Sequence, residues 1–210
     1  MSRQETAIHR QIGCKTFPCE DINKDHYLIP EINIDPEVVR LVLISEAAPP
    51  DPSDYYYAGE SAAYARTTLA VFNQASVNAN SFWDLVDRGI YFTTAVKCGK
   101  TGYGIKAGTI KTCSHILETE LNLFPNVGAY LLMGDVAIKA VNYIAKRLTG
   151  ARAIPAGSTY KIRGGDFFFR GQPAFPSYLQ VGPSFGIEKS KQRMIVDDIS
   201  RAINTIANSH

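Results

Sequence analysis

The sequence predicts an α/β fold: a three-layer α/β/α domain around a central, mainly parallel four-stranded sheet. Three observations carry this expectation. Residues 38–44 are rich in valine, leucine and isoleucine, as in a strand buried on both faces. Residues 90–96 and 127–133 read the same way. The stretches between them place apolar residues at helical spacing, and strands that alternate with helices imply a parallel sheet covered on both sides.

The elements follow in order. Residues 45–54 are rich in proline and aspartate and read as loop. Residues 61–72 carry alanine and leucine at helical spacing, and 82–86 read as a short helical turn. After the second strand, residues 97–108 read as a loop rich in glycine and lysine. Ile110, Cys113, Leu117 and Leu121 then mark one face of a helix. Asp135 stands where it can cap the helix that runs on to Leu148. Residues 160–162 and 167–169, joined across Gly164 and Gly165, suggest a hairpin. Residues 178–181 read as the last core strand, and Ile195, Ile199, Ala202, Ile203 and Ile206 stripe the final helix.

The composition, 45% hydrophobic and 20% charged over 210 residues, suits one domain spanning residues 1–210, with 1–37 as an N-terminal segment. The net charge of +2 neither demands nor excludes nucleic acid. Residues 1–19 are polar and mixed in charge, without the apolar core of a signal peptide, and no apolar run approaches the length of a membrane span. A monomer in the reducing cytoplasm, with no membrane partner, is the expectation.

Parallel sheets bind ligands beyond the carboxyl ends of their strands. Four segments fall there: 45–57, 93–100, Gly134 with Asp135, and 182–191. The four cysteines form two local pairs far apart in sequence, Cys14 with Cys19 and Cys98 with Cys113. In a reducing compartment, four thiols suit an iron–sulfur cluster or zinc better than disulfides. Unrelated core cysteines are the plainer alternative, and neither spacing is a standard zinc signature.

Taken together, several segments resemble the iron–sulfur branch (family 4) of the uracil-DNA glycosylase superfamily. The strand Leu41-Val42-Leu43-Ile44 running into Ser45-Glu46-Ala47-Ala48-Pro49 resembles the first motif of that branch, a strand ending in Gly-Glu-Ala-Pro-Gly. Tyr91-Phe92-Thr93-Thr94-Ala95-Val96-Lys97-Cys98 resembles its Thr-Asn-Val-Val-Lys-Cys, followed by a helix carrying the fourth cysteine. Leu131-Leu132-Met133-Gly134 with Ala137 is similar to its third strand and turn. Pro183-Ser184-Phe185, before a basic helix start, is similar to its His-Pro-Ser segment.

The resemblance implies a protein that flips a damaged or modified base out of DNA and hydrolyses its N-glycosidic bond. It implies a 4Fe-4S cluster on Cys14, Cys19, Cys98 and Cys113, with zinc as the runner-up. It makes Glu46 the catalytic carboxylate, steadying the oxocarbenium-like sugar and orienting water. Tyr56 or Tyr57 would stack on the flipped base, and Thr94, Gly182 and Ser184 would line the base pocket. Lys97, Lys100, Lys189 and Lys191 would contact DNA phosphates.

The chain departs from the pattern in three places. The first cysteine pair is more widely spaced than in the family. Thr94 stands where the family has its uracil-reading asparagine. The histidine before Pro-Ser is missing, whether that segment is Phe175-Pro176-Ser177-Tyr178 or Gly182-Pro183-Ser184-Phe185, of which the second follows the apolar strand directly. Ser184, Thr94 or backbone N–H groups near Gly182 would have to replace its hydrogen bond. An altered base preference follows. A non-catalytic iron–sulfur DNA-binding protein and a zinc-stabilised module binding a nucleotide are the alternatives.

Overall fold

The computed structural model describes residues 6–181 and 188–208. The strands β1 (Thr6–Ala7), β2 (Ile22–Tyr27) and β3 (Asn33–Ile34) precede the core strand β4 (Leu41–Ala48). Helices α1 (Ala63–Gln74) and α2 (Phe82–Asp87) lead to β5 (Ile90–Lys100), and α3 (Ala107–Leu121), β6 (Ala129–Met133) and α4 (Asp135–Thr149) follow. A short α5 (Thr159–Ile162), β7 (Phe168–Phe169), β8 (Gln172–Ser177) and the long α6 (Lys189–Ala207) come last.

The class is α/β. The sheet, however, is mixed and six-stranded, in the order β2-β5-β4-β6-β8-β7, where a mainly parallel four-stranded sheet was expected. Strands β5, β4, β6 and β8 pair in parallel, and β2 and β7 add antiparallel edges. Both edge strands are short or polar, so no hydrophobic period marks them. A separate ribbon pairs β1 with β3.

β4 lies between β5 and β6, with Leu41 opposite both Ile90 and Ala129. Flanked on both edges, Leu41, Leu43 and Ile44 are fully buried, each worth about 1.5–3 kcal/mol. Neighbouring residues of β5 point to opposite faces. Tyr91 packs on Phe124 beyond α3, with ring centroids 4.5 Å apart, while Phe92 packs on Phe72 of α1 and Phe82 of α2. Ile195, Ile199 and Ala202 bury the apolar stripe of α6.

Three elements differ from expectation. The last parallel strand is Gln172–Ser177, not residues 178–181. Pro173 and Pro176 argue against a central strand, yet Pro176 is tolerated because the β7 side bonds β8 only as far as the Ala174 N–H, which donates to the Phe167 carbonyl, and is free beyond it. The expected hairpin is replaced: α5 covers Thr159–Ile162, and the turn falls at Arg170 and Gly171, both at positive φ (53° and 78°). Residues 97–100, expected as loop, continue β5 because β2 pairs with them.

Candidate functional site

Glu46 interrupts an otherwise buried strand near its carboxyl end, with its side chain 17% exposed. Its carboxylate accepts from the Val136 N–H at the start of α4 (3.4 Å) and lies 3.7 Å from the Lys100 ammonium. The expected Asp135 cap is absent. Gly134 occupies the N-cap position without a side-chain cap, and Asp135 instead accepts from the Thr159 hydroxyl at 3.2 Å. Glu46 thus adds a second negative charge at the helix start, beside Asp135 of the first turn, from a neighbouring strand. Gly134 is required for this approach. It stands at φ 96°, and a Cβ there would come within 2.7 Å of Glu46 Oε1. The carboxylate lies at the parallel strand ends, where a ligand would be expected.

The aromatic and polar residues around it divide into two groups. Ser45 and Thr94 stand opposite each other in the parallel register, so their side chains share a face. The Ser45 hydroxyl bonds to the Tyr56 hydroxyl, and Gln180 Nε2 lies 2.6 Å from Tyr56, 3.1 Å from Ser45 and 3.3 Å from Thr68. All four side chains are fully buried. Tyr56 is therefore a core residue, stacked on Phe82 at 5.9 Å, and does not face an open base pocket. Burial pushes its phenol up, against the hydrogen bonds from Ser45, Gln180 and Thr68. Thr94 is also fully buried, and its hydroxyl has no hydrogen-bond partner among the described residues.

Tyr57 serves the sheet edge. Its hydroxyl lies 2.9 Å from the Phe92 carbonyl and 3.0 Å from the Phe92 N–H, occupying both groups on the side of β5 that β2 does not reach. Its ring lies against Phe82 and the half-exposed Trp83. The stacking expected of Tyr56 or Tyr57 is thus corrected for Tyr56, whose ring is enclosed. Gly182 and Ser184 lie outside the described residues. Gln180, buried just before them, carried no motif and was missed.

The antiparallel pairing of β2 with β5 sets Tyr27 opposite Cys98 and draws the N-terminal cysteines back along the strand. Burial pushes the Cys98 thiol up to about 12, and the nearby Cys113, Cys14 and Cys19 push it the same way. Cys113 is raised chiefly by burial, opposed by the Lys97 N–H and ammonium. Among the described residues, no three cysteine, histidine or acidic side chains are grouped to hold a metal ion. Phe17 adopts φ 45° between Cys14 and Cys19 and aims its N–H at Cys14 Sγ (3.3 Å). The Tyr27 hydroxyl is buried beside the Cys14 backbone N–H, within electrostatic reach of Cys14, Cys113 and Cys98. Four thiols with an N–H aimed at Cys14 Sγ have the donor chemistry of an iron–sulfur or zinc site, although among the described residues they are not grouped around one ion.

No protein-family model matches the chain, and no curated protein matches it.

The lysines separate by burial. Lys97 is fully buried, 2.5 Å from Glu120 on α3 and 2.6 Å from the Thr93 hydroxyl, while Tyr91 and Thr93 donate to the other Glu120 oxygen. Its expected phosphate contact is therefore corrected: the ammonium faces α3, not solvent. Lys100 remains partly exposed beside Glu46. Lys189 is exposed at the first turn of α6, and Lys191 pairs with Glu188 at 2.7 Å. Among the described residues, no helix is long and apolar enough to cross a membrane.

Proposed function

We propose that this protein is a DNA glycosylase-like enzyme of three-layer α/β/α architecture, with a 4Fe-4S cluster held by Cys14, Cys19, Cys98 and Cys113. The observation that carries the reading is the return of the N-terminal segment along β5, which brings all three other thiols within electrostatic reach of Cys98. Four soft thiolate donors suit an iron–sulfur cluster, with zinc as the alternative metal. Cys14 and Cys19 would join the N-terminal segment to Cys98 on β5 and Cys113 on α3 through such a cluster.

Glu46 is the candidate for the chemistry. A water oriented by its carboxylate adds through oxygen to the sugar C1′ while the C1′–N bond breaks. The base departs with the bonding electrons, and Glu46 takes the water's proton. The carboxylate also steadies the positive charge that develops on the sugar. Lys100 and the Val136 N–H hold it in one orientation. Thr94, fully buried where the family has an asparagine, cannot offer uracil the paired donor and acceptor of that amide, so a base other than uracil is the favoured substrate.

These same contacts favour a second reading, a DNA-binding protein without base release. Glu46 already satisfies a helix start and a lysine, which is a structural role in itself. A cleavage screen on single-stranded and duplex oligonucleotides carrying uracil, hypoxanthine, xanthine and bulky modified pyrimidines separates the two readings. Base release lost in Glu46→Gln supports the first. DNA binding without release of any base supports the second. Iron analysis of anaerobically purified protein tests the cluster independently, and zinc without iron would overturn it.

A further inference from the structure

Tyr103 lies in the loop between β5 and α3 and is fully exposed (102%). It stands between Gly102 and Gly104, neither of which has anything within 4 Å of where a Cβ would be. Both faces of the ring are therefore open to stack on a flat partner. The loop that carries the ring is nevertheless anchored at both ends. Thr101 donates to the Asp21 carbonyl at 3.0 Å, and the Lys106 N–H donates to the Asp21 carboxylate at 2.6 Å. Thr109 donates to the same carboxylate. Asp21 thereby caps the start of α3 from outside, and the ring is displayed on a braced finger.

The surroundings of the ring are cationic and aromatic in alternation. The Lys100 ammonium lies 5.8 Å from the Tyr103 ring centroid. Lys191 lies within electrostatic reach of Tyr103 and 5.5 Å from the Tyr178 ring. Carboxylates temper these charges: Glu46 is 3.7 Å from Lys100, Glu188 is 2.7 Å from Lys191, and Glu20 is 3.9 Å from Lys106. The separations of 3.7 and 3.9 Å exceed a hydrogen bond and leave those ammonium donors available to a phosphate.

We propose that the loop spanning Lys100 to Lys106 is a nucleic-acid finger on which the Tyr103 ring stacks with an unpaired DNA base while Lys100 and Lys106 meet the flanking phosphates. Stacking on an exposed ring tolerates any base and needs only an unstacked partner, which single-stranded DNA or the gap beside a flipped base supplies. The proposal rests on DNA being the partner, as in the proposed function, but does not require base release.

The test is fluorescence anisotropy of a labelled oligonucleotide, single-stranded or as a duplex with a central mismatch, titrated with wild type, Tyr103→Ala and Tyr103→Phe. Full exposure of the ring makes all three folded proteins. Tyr103→Ala is expected to bind about 5- to 150-fold more weakly, the range for losing one base stack, and Tyr103→Phe to bind like wild type. Equal affinity of wild type and Tyr103→Ala overturns the proposal. So does a loss in Tyr103→Phe as large as in Tyr103→Ala, or the absence of any wild-type binding. Base release by wild type and Tyr103→Ala alike would overturn the finger and leave the glycosylase reading standing. Tyr103-dependent binding without base release would do the reverse.

Discussion

Lys97 and Glu120 meet inside the protein as a fully buried ion pair, 2.5 Å apart, that joins the central strand β5 to α3. The same two elements carry Cys98 and Cys113. Every acceptor in the pair is used: Tyr91 and Thr93 donate to one carboxylate oxygen and Lys97 to the other. Removing one partner strands the other charge in the core. Lys97→Met is expected to lower unfolding stability by about 3–5 kcal/mol, and pairing it with Glu120→Leu should recover most of the loss. Urea denaturation of the single and double variants measures both. An unaffected single variant would mean that the pair is solvated in solution.

Glu46 and Gly134 are linked by space. Glu46→Gln is expected to retain DNA affinity and to lower base release by about 10²- to 10⁴-fold. Gly134→Ala forces a Cβ into the carboxylate at a φ of 96°. It should impair release alongside a stability cost of about 1–3 kcal/mol from the positive-φ backbone alone. Single-turnover assays and thermal melts report the two effects separately.

The Cys98 thiol, raised to about 12 chiefly by burial, remains protonated at neutral pH when no metal is bound. Loading iron must displace that proton, so reconstitution with ferrous iron and sulfide is expected to improve as pH rises from about 7 to 9. About four iron atoms per chain are expected at saturation. Cys98→Ser should abolish the visible absorbance.

Tyr57→Phe removes a hydroxyl that serves both the N–H and the carbonyl of Phe92. A stability loss of about 1–3 kcal/mol is expected, with faster amide exchange at Phe92. Hydrogen exchange that stays slow at this amide would assign the edge to some other group.

Asp21 would be raised by burial, but the hydrogen bonds from Thr109 and Lys106 outweigh this and hold it below the usual aspartate value. Its contribution to stability is present above the unfolded-state pKa and is lost as pH falls through the lower folded-state value. Asp21→Asn is expected to flatten the acid limb of the stability curve and to speed amide exchange at Lys106 at neutral pH.

The parallel core was legible because strands buried on both faces must be largely apolar, and residues 41–44, 90–92 and 129–133 are. The edges were not, because β2 alternates polar residues on a surface and β8 carries two prolines. Glu46 could be picked out as a charge ending an apolar strand. Lys97 was misjudged because a lysine beside glycines reads as solvated, and only the Glu120 carboxylate two turns beyond Cys113 on α3 makes its burial affordable. Tyr56 and Tyr57 look alike in sequence. The pleat of the neighbouring strands and the reach of β2 give one to the core and the other to an open edge.

The pairing of β2 with the end of β5 also sets a schedule for synthesis. Residues 22–27 leave the ribosome more than seventy residues ahead of the strand they need, as Ile22 pairs with Lys100. At roughly 5–20 residues per second, that segment waits several seconds without its partner. The earliest-made part of the sheet is therefore among the last to be fixed, and a nascent chain presents its first two thiols to the cell before the other pair exists.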